Sequence, residues 1–241
     1  MRVQLHRALS KLGWGSRKQA WEWICAGEVR VDGRVERDPL AWVDLDAQRV
    51  TRGGVEKTRD ERLVLALHKP RDVLTTRSDE KGRRTVYDLL PEGLPWTFPA
   101  GRLDAASEGL LVMTNDAKLA ERLTEPVHHV PKTYRVTVRG AAPDDRLRAL
   151  EVGIELDDGP TRPCEVRLVE RGGGRTVVEM VLREGRNRQI RRMWEAVGQR
   201  VTRLVRVAIG AFALGDLPMG QHRRLTEDEV ARLMLGGSGD G

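Results

Sequence analysis

The chain has little of the residue types that build metal, disulfide or redox sites. Its two cysteines, Cys25 and Cys164, lie far apart and match no ligand spacing, and two unpaired cysteines are typical of a reducing compartment. The five histidines form no recognisable metal pattern. Their one cluster, His128-His129, consists of adjacent residues, which a strand would point to opposite faces. We therefore expect no metal site.

Long apolar runs are absent as well. None approaches the roughly 20 residues that are needed to span a bilayer. The opening residues Met1-Arg2-Val3-Gln4 lead into an amphipathic segment, so no signal peptide is expected. Together these absences predict a cytoplasmic protein without a membrane partner.

Positive charge, mostly arginine, is what the chain has in excess. Lysine and arginine number 42 against 36 acidic residues, which gives a formal net charge of +6. The planar fork of arginine fits phosphates and its flat face stacks on bases, so this composition favours nucleic acid as a partner. A soluble protein with a solvated charged surface has the same balance. The length of 241 residues, 39% of them hydrophobic, allows one large domain or a small and a medium one.

Two short helices and a hairpin are predicted in the first 60 residues. The apolar positions with helical spacing are Leu5, Ala8, Leu9 and Leu12 in the first helix, and Ala20, Trp21 and Ile24 in the second. Ser16 is predicted to cap the second helix, and Asp32-Gly33 to form the tight turn of the hairpin. Residues 51–62 are polar and lack periodicity, which predicts the end of this unit and a linker.

Residues 61–235 are rich in strands and lack regular strand–helix alternation. Strands are predicted at 63–67, 134–138, 164–169, 176–182 and 201–209, helical segments at 86–90, 118–123, 147–150 and 190–197, and a last helix after Thr226. The pattern predicts an α+β fold with a mixed, mostly antiparallel sheet and flanking helices. Within 201–209, alternation places Val205 and Val207 inward and Arg206 outward. A flexible tail is predicted at 236–241.

An acidic loop beside a buried strand is the most informative local feature. Asp104 follows Arg102 by two residues, Ser107-Glu108-Gly109 is predicted to make a turn, and the apolar run 110–113 follows. A rigid strand that supports an acid at its edge is a common way to build a site. A structural salt bridge between Arg102 and Asp104 would have the same local sequence, so the loop alone leaves both interpretations open.

Two further features suggest a cleft. Tyr134 shares the apolar face of its strand with Val136 and Val138, and a buried tyrosine hydroxyl needs a partner. The strand alone favours a core tyrosine that bonds to backbone. Arg188, Arg191 and Arg192 lie near a predicted helix start, where cations oppose the helix dipole. That arrangement is unfavourable unless an anion, such as a phosphate or a carboxylate, is the partner.

The N-terminal segment resembles the alpha-L RNA-binding motif of a small-subunit ribosomal protein, the S-four motif. The matching residues are Leu5, Leu9, Gly13, Ser16-Arg17, Ala20, Ile24, Gly27 and the segment 29–33. Asp32 stands where the motif usually has Asn. The resemblance implies an S-four-like RNA-binding domain, with its linker, at residues 1–60, which contacts structured RNA through Arg17, Lys18 and Arg30. A helix-hairpin unit with ordinary surface charges is the alternative.

Four further segments together resemble the RsuA/RluB-type family of bacterial ribosomal RNA pseudouridine synthases. They are Lys69-Pro70, the segment 101–116 that begins Gly101-Arg102-Leu103-Asp104, Lys132-Thr133-Tyr134, and the segment 184–193; a fifth, 203–206, follows in the expected order. Asp72 and Ala117 stand where the family usually has glycine. The resemblance implies a catalytic domain at residues 61–235 that isomerises uridine to pseudouridine in folded ribosomal RNA, without a metal, nucleotide or redox cofactor.

The resemblance also implies roles for individual residues. Asp104 becomes the catalytic carboxylate, and Arg191 the cation that pairs with it. Tyr134 packs against the uracil and is a candidate base, and Leu204 walls the pocket. Arg102 enters the helical stack and fills the space left by the extruded base, because the target atom is unreachable while it is stacked. The remaining implied substrate-binding residues are Lys69, Arg186, Arg188 and Gln189.

Other functions stay open at this point. A non-catalytic RNA-binding assembly factor would use the same basic surface and would need no set of Asp, Tyr and Arg. A glycosidase-like pair, Asp104 with Glu108, would instead hydrolyse a glycosidic bond. The segment 184–192 resembles the members that act on large-subunit ribosomal RNA more than the small-subunit enzyme. We therefore expect a monomer whose partner is large-subunit ribosomal RNA or a ribosome assembly intermediate, with a small-subunit target as the alternative.

Overall fold

A computed structural model describes residues 2–57 and 61–235. The tail predicted at 236–241 and residues 58–60 of the predicted linker lie outside the described residues. The chain forms two compact units. The first unit comprises Met1–Leu63, Glu92–Phe98 and Thr114–Ala117, and the second unit comprises the rest. Within the described ranges, no helix has the length and apolar character needed to cross a bilayer.

The first unit begins with a strand, two helices and a set of short strands. They are β1 (Arg2–Gln4), α1 (Leu5–Lys11), α2 (Arg17–Cys25), β2 (Val29–Val31), β3 (Arg34–Val35), β4 (Trp42–Asp44), β5 (Val50–Arg52) and β6 (Val55–Glu56). Ser16 caps α2 as predicted, since its Oγ accepts a hydrogen bond from the backbone N–H of Gln19 at 3.1 Å. Asp32 and Gly33 form the predicted hairpin turn, with φ values of 50° and 83°.

One prediction for the first unit is wrong. Trp21 is 43% exposed and is not part of the buried face of α2, whereas Ala20 and Ile24 are fully buried. Within the segment predicted as the end of this unit and a linker, residues 51–56 belong to the unit, because β6 folds back on β5 and β5 pairs with β2. This pairing joins strands that are distant in the sequence, and local periodicity does not report such contacts.

The remaining helices and strands follow in chain order. They are β7 (Val64–Lys69), β8 (Phe98–Pro99), β9 (Glu108–Thr114), α3 (Ala117–Thr124), β10 (Lys132–Arg139), α4 (Asp144–Val152), β11 (Glu155–Leu156), β12 (Gly159–Pro160), β13 (Glu165–Gly172), β14 (Arg175–Leu182), α5 (Gln189–Ala196), β15 (Val201–Ile209), β16 (Phe212–Ala213), β17 (His222–Arg224) and α6 (Glu227–Met234). Short 3-10 helices cover Val86–Leu89 and Pro126–His128. All the predicted strands and helices of this region are therefore present, together with several two- or three-residue strands that were not predicted.

One large sheet organises the second unit. Its strand order is β13-β14-β10-β15-β9-β7-β17. The pairs β13–β14, β14–β10, β10–β15 and β7–β17 are antiparallel, whereas β9 and β15 run parallel. The predicted α+β class with a mostly antiparallel sheet is confirmed. Strand β9, which follows the acidic loop, is buried along its whole length.

The core that supports one side of the sheet lies between β10, β14 and α5. Val136, Met180, Met193 and Trp194 are fully buried there, and the Nε1–H of Trp194 points at the sulfur of Met180 at 3.3 Å. Burial of each such side chain stabilises the fold by about 1.5–3 kcal/mol. This packing holds in place the strand that carries Tyr134 and the helix that follows the segment 184–188.

Strand β15 departs from the predicted alternation. Arg206 is only 4% exposed, although alternation predicts that it faces outward. Register shifts between β10 and β15 occur at Thr133/Tyr134 and at Thr137/Val138. Such bulges re-aim side chains and interrupt the two-residue period of a strand, so the inward and outward faces of β15 could not be deduced by simple counting.

Gly109 lies where β9 meets β15. Its φ is 107°, and a Cβ at this position would lie 2.3 Å from the carbonyl oxygen of Arg206 and 2.6 Å from its nitrogen. A side chain at residue 109 would therefore separate the two strands, and glycine permits their close approach.

Candidate active site

Asp104 lies in a loop whose backbone is tied back on itself. The turn occurs at Ala105 and Ala106, and the N–H of Ser107 donates to the carbonyl oxygen of Asp104 at 2.9 Å. The turn predicted at 107–109 is wrong, because Glu108 and Gly109 already belong to β9. The carboxylate therefore sits just before the buried strand, on a turn that begins with Asp104 itself.

Lys69 supports this loop from beneath. Its side chain is completely buried, and its Nζ donates to the carbonyl oxygens of Pro70 at 3.0 Å, Ala105 at 3.4 Å and Ser107 at 2.8 Å. Burial lowers the pKa of Lys69 to about 8, and the nearby carboxylates of Asp72, Asp104 and Glu108 oppose that shift. Lys69 does not line the cleft, so it holds the loop in place and does not have the substrate-contacting position implied by the resemblance.

Two further bonds fix the loop from the segment after Lys69. Thr75 Oγ1 donates to the carbonyl oxygen of Leu103 at 2.8 Å. The N–H of Asp72 donates to the carbonyl oxygen of Ala105 at 2.7 Å. Asp72 has a φ of 63°, a conformation that glycine adopts most easily and that Asp tolerates. The loop thus has defined bonds on either side of Asp104, which suits a carboxylate that must be held for chemistry.

A cleft of about 420 Å³ opens above the loop within the second unit. The predicted residues that line it are Arg102, Asp104, Tyr134, Arg186, Arg188, Gln189 and Leu204. Lys132 and Arg206 line it too and were not assigned a role from the sequence. Its volume lies within the range of small-ligand sites, so the cleft is large enough for a single nucleobase and sugar.

Tyr134 is half-buried on β10 and packs against the apolar core. Its Cα lies opposite those of Met180 on β14 and Arg206 on β15. Among the described residues, its hydroxyl has no hydrogen-bond partner, so the backbone-bonded core tyrosine that the strand alone favours is not what the structure contains. A half-buried aromatic ring with a free hydroxyl can stack on a base and still bond to it.

Two cations that the sequence analysis did not assign lie beside Tyr134. The Nε–H of Arg206 donates to the carbonyl oxygen of Leu110 at 2.7 Å, while its Nη2 is buried and has no partner within the described residues. Burial lowers the pKa of Lys132 to about 8, with a smaller contribution from Arg206. Lys132 belongs to the quoted Lys-x-Tyr motif, which was the available signal. The signal for Arg206 was hidden by the bulges of β15.

Arg191 does not form the predicted ion pair with Asp104. Within the described residues its guanidinium bonds to backbone, with Nη2 donating to Ala106 at 2.9 Å and Nη1 to Val201 at 3.4 Å. It does not line the cleft. Burial lowers the pKa of Arg191, as do the nearby Arg188 and Arg71, while Asp104 opposes the shift. Arg191 therefore contacts the loop of Asp104 through the carbonyl oxygen of Ala106 and not through the carboxylate.

Three residues of the segment 184–189 have distinct surroundings. Gln189 is 4% exposed and bonds to the side chain of Glu184 and to the backbone N–H of Arg186. Arg186 donates to the carbonyl oxygens of Gly159 and Pro160 in the β11–β12 hairpin. Arg188 is exposed, has a φ of 48°, and has no side-chain partner within the described residues. Of the three, only Arg188 is free to bind an anion without giving up a bond.

Glu108 is committed to a structural ion pair. It is 6% exposed, and its carboxylate accepts three hydrogen bonds from Arg203 at 2.8–3.3 Å. It does not line the cleft, so it cannot act with Asp104 across a substrate as a glycosidase pair would. Arg102, in contrast, is exposed at the cleft and has no side-chain partner in the described part of the chain, which removes the salt bridge that the local sequence left open.

The cations predicted to bind RNA in the first unit are on its surface. Arg17 and Lys18 are exposed at the start of α2 and, with His6 and Trp21, line a shallow depression. Arg30 is exposed as well, but its Nη1 donates to the carbonyl oxygen of Gly33 at 3.0 Å. Arg30 therefore closes its own hairpin turn, and the free cations of this face are those of α2.

Residues 63–196 match the family described as RNA pseudouridylate synthase. The chain belongs to this family. An RNA pseudouridine synthase of Mycobacterium leprae (strain TN), named as uncharacterized, is 44% identical over 235 residues, which are 96% of this chain and 92% of that protein. The ribosomal large subunit pseudouridine synthase B of Bacillus subtilis (strain 168) is 36% identical over 232 residues, 95% of each chain.

A solved crystal structure of a pseudouridylate synthase supports the same family assignment. It matches with a TM-score of 0.71 and 27% identity, over 96% of this chain and 99% of that one. RNA pseudouridine synthases are isomerases, so the predicted enzyme class is confirmed. The cleft that contains Asp104 lies within the second unit, which includes most of the matched residues.

Proposed function

We propose that this pseudouridine synthase converts a specific uridine to pseudouridine in large-subunit ribosomal RNA. The observation that carries the proposal is the cleft of the second unit, which Asp104, Tyr134 and Leu204 line together. The substrate class is supported by relatives that are named ribosomal large subunit pseudouridine synthase B, at 36% identity in Bacillus subtilis and 39% in Shigella flexneri.

The reaction rearranges one nucleotide without loss or gain of atoms. The bond between N1 of uracil and C1′ of the ribose breaks, the uracil turns, and a bond forms between C5 and C1′. The proton on C5 leaves, and N1 gains one. Asp104 starts the sequence as an ionised carboxylate, either by attack on C1′ or by removal of a sugar proton, and both routes require the charged form.

The other residues of the cleft hold the base while its bonds change. Tyr134 is held against the core in a position to stack on uracil, and its free hydroxyl is the candidate base for the proton on C5. Leu204 forms an apolar wall. Lys132 and Arg206 bring positive charge to the cleft, where the departing uracil carries negative charge. Arg102, exposed and free, occupies the gap that base extrusion leaves in the RNA stack.

We assign the first unit to RNA binding, as an S-four-like domain that contacts structured RNA through α2. Support comes from the capped helix, the hairpin turn and the exposed pair Arg17 and Lys18. Exposed cations on one helix face fit a phosphate backbone.

The test is a map of pseudouridines in ribosomal RNA from cells with and without this protein, together with conversion of transcribed rRNA segments by the purified protein. We expect one or a few large-subunit uridines to lose modification in the deletion strain and to be converted in vitro. A missing modification in the small subunit would reassign the target. Unchanged maps together with no turnover on any transcript would favour an assembly factor and contradict the proposal.

A further inference from the structure

A second cavity in the second unit is surrounded by arginine. It has a volume of about 360 Å³, and the charged residues that line it are Arg71, Arg139, Arg188, Arg191, Arg200 and Glu195. They come from separate elements: the segment after β7, the end of β10, the start of α5 and the residue before β15. The fold therefore gathers five guanidinium groups that are distant in the sequence around one space.

The described residues supply little negative charge to this cavity. Glu195 is the one carboxylate among the lining residues. Arg139, Arg188 and Arg200 have no side-chain partner in residues 2–57 and 61–235, and the carboxylate nearest to Arg71, that of Asp72, is 4.0 Å away. Neighbouring positive charges destabilise one another. The pKa of Arg191 is lowered mainly by burial, and the charges of Arg188 and Arg71 lower it further.

Two observations indicate that donors in this cavity are held in place and remain available to a phosphate group. The backbone N–H of Arg139 donates to the carbonyl oxygen of Arg200 at 3.0 Å, which keeps these two residues side by side. The Nε of Arg191 is buried and has no hydrogen-bond partner within the described residues. Planar guanidinium forks bind phosphate oxygens in pairs, and such charge-assisted bonds are about twice as strong as neutral ones.

The cavity is linked to the cleft by two residues. Arg188 lines both spaces, and Arg191 bonds to Ala106 in the loop that carries Asp104. We propose that the cavity lined by the five arginines binds a backbone phosphate of the RNA strand, close to the nucleotide that enters the cleft. The identity of the strand rests on the proposed function, whereas the preference for a phosphate rests on the cavity itself.

The first experiment measures RNA affinity against salt concentration for the double variant Arg139→Gln/Arg200→Gln. The probe is an in-vitro transcribed large-subunit rRNA segment. The matched control is Arg83→Gln/Arg223→Gln, which also removes two exposed arginines, but ones that are already paired with Asp79 and Glu229 and that line neither cavity. We expect the first variant to bind about ten-fold more weakly, with little change in the control. Its salt slope should fall by about 0.7–0.9 for each RNA phosphate that the protein no longer neutralises.

An equal loss of affinity in both variants would show that only the net charge of the protein matters, and it would overturn the proposal. Unchanged affinity of the Arg139→Gln/Arg200→Gln variant would overturn it as well. Neither readout depends on turnover, so the result is separate from the test of pseudouridine formation. A wild-type protein that converts no uridine but shows the expected difference in binding would contradict only the proposed function.

The second experiment identifies the source of the phosphate. Inorganic phosphate is titrated into wild-type protein while the Nε–H signals of arginine side chains are followed by NMR. We expect saturable shifts that are absent in the Arg139→Gln/Arg200→Gln variant, and that RNA abolishes by competition. Saturable binding of phosphate that RNA does not displace would assign the cavity to a small anion and overturn the RNA assignment.

Discussion

The arginines of the second unit form two groups, one paired with carboxylates and one without such partners. Around β13 and β14 the arginines are paired: Arg135 and Arg167 share Glu179, and Arg171 bonds to Asp144. Around the cleft and the second cavity, Arg102, Arg139, Arg188 and Arg200 have no such partners in the described part of the chain. On one strand, β10, Arg135 is paired and Arg139, at its end, is not. The unpaired cations line the surface at which we propose that an anionic ligand binds.

The difference has a simple physical basis. Arg135 and Arg167 hold the pKa of Glu179 below its usual range through hydrogen bonds, which neutralises that region at little cost. Exposed ion pairs contribute only about 0–1 kcal/mol each to stability, so their main effect is on the field around the protein. The four unpaired arginines leave positive charge uncompensated at the cleft and the second cavity, where it raises the rate of encounter with RNA.

The largest expected effect comes from the carboxylate of Asp104, which lies in the cleft. Asp104→Asn keeps the shape of the side chain and removes its charge, so we expect the rate of pseudouridine formation to fall by about 10³-fold or more. RNA affinity should stay nearly unchanged. Single-turnover assays and filter binding on the same transcript measure the two quantities. A variant that retains turnover would show that another group starts the reaction.

A paired and an unpaired arginine can be compared directly on neighbouring positions. Arg203→Gln leaves the buried carboxylate of Glu108 without its three hydrogen bonds, and we expect a loss of about 2 kcal/mol in the free energy of unfolding. Arg200→Gln removes no side-chain bond to the described residues and should change stability by less than about 0.5 kcal/mol. Urea unfolding of both variants is the measurement. Equal losses would mean that Arg200 has a structural role.

A third comparison uses pH. Because burial lowers the pKa of Lys132 to about 8, its positive charge is present below that pH and is lost as pH rises through it. RNA affinity of the wild type should therefore fall by less than about ten-fold between roughly pH 7 and pH 9, and Lys132→Arg should remove this step, since a guanidinium stays charged.

A second buried lysine serves as the control for the pH experiment. Lys69 also has a pKa of about 8, but it is the same in both proteins and does not line the cleft. A step that persists in Lys132→Arg would assign the pH dependence to Lys69 or to the RNA.

The smallest effect is expected when a carboxylate close to the second cavity is removed. Asp72→Gly relieves a φ of 63° and takes away the carboxylate nearest to Arg71. Relief of the left-handed conformation outweighs the added freedom of glycine when unfolded, so we expect a gain of about 0.5 kcal/mol, read as a higher Tm. Binding of inorganic phosphate at the second cavity should become slightly tighter. A lower Tm would show that the Asp72 side chain stabilises the loop.

Much of the fold was predictable because its elements are periodic and locally capped. Ser16 and Thr226 both cap helices through complete capping boxes, and the glycine turn between β13 and β14 is evident from Gly173-Gly174. The very short strands were not predictable, since two residues are too few to show the alternation of inward and outward side chains. The strands β5 and β6 at the end of the first unit were not predicted for the same reason, and β5 pairs with β2, which is distant in the sequence.

The residues of the site could be predicted where they belong to a sequence motif. They could not be predicted where the path of the backbone determines which side chain enters the cleft. Asp104, Tyr134 and Leu204 do line one cleft, as the resemblance implied. The place of Arg191 behind the loop, and the entry of Arg206 into the cleft, depend on register shifts and on the path of the turn at 105–106, which no local pattern records. The roles of these residues in the reaction remain predictions until the variants are measured.

Gly109 sets a limit on how this enzyme can change. Because β9 leads out of the Asp104 loop and β15 carries Leu204 and Arg206, the contact at Gly109 sets the distance between the acid and the opposite wall. That distance cannot be adjusted by ordinary substitution, since even a methyl group would collide with backbone. Substitutions meant to change the target uridine should therefore be made in the loops and the basic surfaces around the cleft, and not at the contact between β9 and β15.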